Sequence, residues 1–93
     1  MRVAVTVFEL YIPGVNSLKG KRKVIKSLVQ RLRNRFNLSV SEIGFQDLWQ
    51  RAELGIAVVC YNGAGADSIM EKIFTFVEEE NGIEIIATRS EIY

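Results

Sequence analysis

Two stretches of helical period interrupt a chain that otherwise alternates as strand does, and their placement constrains the fold more than any other feature. In Ser17–Phe36, SLKGKRKVIKSLVQRLRNRF, the residues Leu18, Ile25, Leu28, Val29, Leu32 and Phe36 fall within about 100° of a helical wheel. Ser17 is the expected N-cap, its hydroxyl accepting an orphan amide of the first turn. Gly20 stands where a Glu or Gln would complete a capping box. In Ala66–Glu80 the apolar face is Ile69, Met70, Ile73, Phe76 and Val77, with Asp67 or Ser68 as the expected cap and Asn81-Gly82 as the stop. The preceding Asn62-Gly63-Ala64-Gly65 reads as a turn.

The remaining segments predict strands at Arg2–Tyr11, Leu38–Phe45, Arg51–Tyr61 and Ile83–Tyr93. Ile12-Pro13-Gly14 ends the first, because proline removes a ladder donor. In Leu38–Phe45 the apolar parity switches between Val40 and Ile43, which predicts a bulge or an edge position. Gln46–Gln50 is the hairpin region. The order is βαββαβ, which predicts an α+β, ferredoxin-like sandwich: a four-stranded antiparallel sheet with two helices on one face. A chain of 93 residues suits one such domain, spanning 1–93. Both parities of the first and third strands are apolar, so the uncovered sheet face is expected to be buried in a homo-oligomer, a dimer.

The charge is unevenly spread. Residues 1–41 carry nine of the twelve Lys and Arg and a single acid, Glu9; residues 42–93 carry ten of the eleven Asp and Glu. The net charge of +1 therefore hides a basic face, and the halves form a bipolar surface. Lys19, Arg22, Lys23, Lys26 and Arg33 lie on one flank of the first helix, with Arg31 and Arg35 on the other, and no acid lies within the helix to neutralise them. Such a stripe is either a solvated face, or one matched to acidic protein surface, or a contact for a phosphate backbone.

Catalytic chemistry is poorly supplied. There is no histidine, the commonest general base and zinc ligand, and Cys60 stands alone in mid-strand. No catalytic residue, metal or cofactor is expected. Ferredoxin-like phosphatases of the acylphosphatase type place an anion-binding arginine after the first strand, and Ile12–Asn16 has none; Lys19, Lys21 and Arg22 could still bind an anion at the helix start, which leaves a phosphoester or acyl-phosphate enzyme as the minor alternative. The single cysteine suits a reducing compartment. No apolar run approaches the roughly 20 residues of a membrane span, and no leader is expected, so a cytoplasmic location is expected.

The segments IPGVNSLKGKRKVIK (Ile12–Lys26) and SVSEIGFQDLWQRAELGIAVV (Ser39–Val59) resemble the YlxP-like family of small bacterial proteins of unknown function. The matching elements are the proline turn with SLK-x-KR, RNRFNLSVSE at the helix end, and DLWQRAELG before the third strand. The resemblance implies a ferredoxin-like fold. It also implies an RNA- or ribosome-associated role, since such genes neighbour those of transcription and ribosome-maturation factors. The candidate nucleic-acid contacts are then Lys19, Lys21, Arg22, Lys23, Lys26 and Arg33, with Trp49 and Arg51 beside the helix as a recognition pair. The structural alternative for Trp49 is an indole closing the sheet edge or a subunit interface. The candidate partner is RNA or a ribosomal particle; the alternative is an oligomeric protein-interaction or ligand-binding module without nucleic acid.

Overall fold

Strand β1 (Arg2–Tyr11) buries Ala4, Thr6, Phe8 and Leu10 on one face and leaves Val3, Val5 and Val7 half-buried on the other. This alternation is what a strand roofed on one side produces. The computed structural model describes residues 1–93 and places β1 at the centre of a four-stranded sheet. The other strands are β2 (Ser39–Gly44), β3 (Arg51–Cys60) and β4 (Glu84–Ile92), in the order β2-β3-β1-β4 with antiparallel pairing throughout. In register, Phe8 faces Leu54 and Thr88, and Val7 faces Gly55 and Arg89. The predicted ferredoxin-like sandwich is the observed fold.

Helix α1 (Leu18–Arg35) begins at Ser17, whose hydroxyl accepts from the Gly20 amide at 3.0 Å. Its buried residues include Ile25, Leu28 and Leu32, and Phe36 follows them into the core. Helix α2 (Gly63–Glu78) starts three residues earlier than the sequence predicts. Its cap is Asn62, which accepts from the Gly65 amide at 2.8 Å, and not Asp67 or Ser68. The glycines that read as a turn form the first helical turn, where the Asn cap satisfies an orphan donor. Gly82, with φ +78°, takes the left-handed conformation that turns the chain into β4.

The buried faces of both helices and the even-numbered residues of β1 and β3 form one core cluster. The rings of Phe36 and Phe76 meet edge to face at 5.7 Å and join the two helices. The helix layer leaves the odd-numbered face of the sheet bare. That face carries Val3, Val5, Val7, Ala57 and Val59, the last of them 69% exposed. Four of its charged residues pair, Arg51 with Glu9 and Arg89 with Glu53 at 3.9 Å, while Glu84 and Glu91 of β4, opposite Tyr11 and Val5, form no ion pair.

The switch of parity in the second strand has two causes. β2 lies at the sheet edge, and a bulge falls between Glu42 and Gly44. Val40 and Glu42 face the helices, opposite Ile56 and Leu54. At the bulge itself Ile43 lies over Gly55, where a Cβ would come within 3.0 Å of its side chain.

Candidate functional site

Position 21 follows the core spacing of α1. Residues 21, 25, 28 and 32 advance by four, three and four, which puts them on one stripe. Lys21 is accordingly buried, with 0% of its surface exposed. Its Nζ lies 2.8 Å from Oε2 of Glu42 and donates to the Phe45 carbonyl at 2.6 Å. A buried ammonium needs both a counter-charge and hydrogen-bond acceptors, and β2 supplies them from its bulged end. Lys21 therefore leaves the set of outward cations; it anchors β2 to α1.

The anchor acts on an unusual backbone. Phe45 has φ +56°, the one non-glycine residue in the left-handed region, which costs on the order of 1 kcal/mol for a bulky side chain. Its carbonyl accepts both from Lys21 and from the Leu48 amide at 3.0 Å. At the far end of the same loop, Gln50 Nε2 donates to the carbonyls of Pro13 and Val15 at 3.2 and 2.9 Å. The Gln50 carbonyl in turn accepts from the Ile12 amide at 2.8 Å. The loop Phe45–Gln50 is thus pinned to the turn that leads into α1.

This loop carries an exposed apolar cluster. Phe45 is 40% exposed, Leu48 49% and Trp49 54%. Trp49 makes no side-chain hydrogen bond within the chain. Arg51 separates from it. As an odd-numbered residue of β3 it lies on the bare sheet face, paired with Glu9 and 5.9 Å from the Phe45 ring centroid. The sheet stands between Arg51 and α1, so Arg51 does not lie beside the basic helix. Residue parity was the signal for that separation.

The other predicted contacts lie outward. Lys19, Arg22, Lys23, Lys26 and Arg33 are exposed, and none of them forms an ion pair. Arg33 donates from Nη2 to the Val40 carbonyl at 3.2 Å, covering an outward acceptor of the edge strand. Between α1 and β2 runs a groove of about 340 Å³, lined on one side by Arg22, Lys26 and Arg33 and on the other by Val40, Ser41 and Glu42. On the opposite flank of α1, Arg31 pairs with Glu80 at the end of α2. A second groove, of about 480 Å³, separates the end of α1 from α2 and is lined by both signs of charge, including Arg35, Glu71, Lys72 and Glu79.

Cys60 is buried and donates weakly to the Val58 carbonyl, as a small core hydrophobe does. No group of three or more acidic or cysteine side chains converges as a metal site. No helix is long and apolar enough to cross a membrane.

A family model described as a protein of unknown function, DUF503, matches residues 3–90. The chain belongs to the DUF503 family. The match takes in α1, the pinned loop and the bare sheet face alike. Within the same length range, an uncharacterized protein, YlxP, of Bacillus subtilis (strain 168) is 40% identical over 83 residues, which is 89% of this chain and 90% of that protein. The DUF503 chain is thus similar to a relative of nearly its own extent, and the resemblance expected from its motifs is the relationship found.

Proposed function

We propose that this protein is a non-catalytic binding protein whose first helix contacts the phosphate backbone of RNA. One observation carries the reading. The ion pairs Lys21–Glu42, Arg31–Glu80, Arg51–Glu9 and Arg89–Glu53 consume cations elsewhere, while Lys19, Arg22, Lys23, Lys26 and Arg33 keep exposed charge with no acidic partner. Unpaired cations aligned on one rigid helix favour a polyanion, because each phosphate neutralised releases a counterion.

The test is a salt series with single-stranded RNA in a filter or gel-shift assay. Five phosphate contacts predict that log affinity falls with log salt at a slope of about −3.5. Lys23→Glu combined with Lys26→Glu is expected to abolish most of the binding. An affinity that ignores salt, or no binding at low salt, removes the reading.

We further propose that a second copy of the chain covers the bare sheet face. The exposed Val59 among Val3, Val5 and Val7 favours this, and the pairing of Arg51 with Glu9 and of Arg89 with Glu53 lowers the cost of burying those charges. Four strands about 4.8 Å apart, two of ten residues, one of nine and one of six, present roughly 550 Å² before side chains roughen the surface. That approaches the ~800 Å² per partner of a stable interface. Light scattering is expected to give twice the chain mass, and Val59→Lys to return it to one. A wild-type monomer at high concentration would refute the dimer.

A further inference from the structure

We infer that the pinned loop Phe45–Gln50 is a base-stacking platform and that the preferred ligand is single-stranded RNA, an unstacked base resting on Trp49. The inference rests on the phosphate-contact reading of α1 and adds the ligand class. Three observations combine in it. The sole tryptophan of the chain is more than half exposed, with Phe45 and Leu48 exposed beside it. An unpartnered indole in water needs a reason, and a π-face offered to a base is one that tolerates any sequence.

The loop is also held in place before any ligand arrives. Lys21 fixes the Phe45 carbonyl, Gln50 grips Pro13 and Val15, and the Arg51 guanidinium sits 5.9 Å from the Phe45 ring. Finally, the loop is continuous with the charged groove. Arg51 and Tyr11 are register partners, so the β2–β3 loop and the turn into α1 share one end of the sandwich. From there Arg22, Lys26 and Arg33 run along the β2 edge. These residues span eleven positions of α1, about 16 Å at the helical rise. A single strand following the groove would place phosphates on the cations and reach the loop with a splayed base. A duplex keeps its bases stacked and offers Trp49 nothing to receive.

The emission of Trp49 reports on this directly, since no other tryptophan contributes. The full chain is titrated with an oligoadenylate of about 12 nucleotides and, separately, with an RNA duplex of matching length, each alongside an affinity measurement. Oligoadenylate is expected to quench the emission and the duplex to leave it unchanged. Trp49→Ala is expected to weaken oligoadenylate binding about 5- to 100-fold, the usual worth of one stacked base, with Trp49→Phe recovering most of it. The indole is outside the core, so these variants keep the fold.

If oligoadenylate binds with the expected salt slope but leaves the emission and the Trp49→Ala affinity unchanged, stacking is overturned and the phosphate reading stands. If the duplex quenches equally, the single-strand preference is overturned. If neither RNA binds at low salt, both readings fall. If Trp49→Ala changes only the oligomeric mass, the cluster is a protein contact and the inference is wrong.

Discussion

Lys21→Met is expected to destabilise the fold by about 3 kcal/mol, the lower end of the range for breaking a buried ion pair. The lower end applies because Glu42 keeps 18% of its side-chain surface exposed and so retains some water. In this variant the Glu42 carboxylate loses its counter-charge, and the Phe45 carbonyl is left with the Leu48 amide alone. A chain of this length has about 5–14 kcal/mol of stability in all, so the loss should appear as a large fall in the urea midpoint. Lys23→Met, one turn face away and exposed, is expected to change stability by less than about 0.5 kcal/mol. Adding Glu42→Leu to Lys21→Met should recover part of the loss, because an apolar pair of similar volume removes the stranded charge. Equal midpoints for Lys21→Met and Lys23→Met would show that Lys21 holds nothing together.

The second large effect lies at Phe8. Its side chain is fully buried at the centre of β1, and its ring lies 6.2 Å from that of Phe74 in a tilted arrangement. Phe8→Ala is expected to cost about 4 kcal/mol, the transfer of the ring plus the cavity left under α2. Val7→Ala, the next residue, points to the other face and should cost the isolated chain only about 1 kcal/mol. Chemical denaturation at low and high protein concentration separates the two faces. The Phe8→Ala loss should persist at every concentration. The Val7→Ala loss should grow with concentration if a second copy packs on that face.

The strand order, both helices and the core were legible in the sequence because each rests on a repeating pattern. Period two along β1 and period 3.6 along α1 name nearly every buried position, and βαββαβ admits few topologies. The bulge in β2 was visible for the same reason, as a break in parity. Single substitutions inside a pattern were harder to see. Lys21 puts a charged residue at a core position, and its spacing makes sense only with Glu42 as its buried counter-charge. Asn62 was hidden by its glycines, whose low helix propensity obscured a cap that suits them. Arg51 adjoins Trp49 in sequence, yet parity sends its side chain to the opposite face of the sheet from α1. The φ of Phe45 had no signal in the residue type, since a bulky phenylalanine disfavours the left-handed region.

The pair Arg31–Glu80 joins the basic helix to the acidic one along a single edge. This adjacency has a kinetic consequence. A polyanion approaching over α2 meets Glu71, Glu78 and Glu79 and is turned aside, while one approaching over the β2 edge meets Arg22, Lys26 and Arg33. The field therefore selects an orientation before contact, and salt should slow association more than it hastens release. Reversing the charge of Glu71 and Glu79 would open a second direction of approach and make capture faster and less selective, with the groove itself untouched.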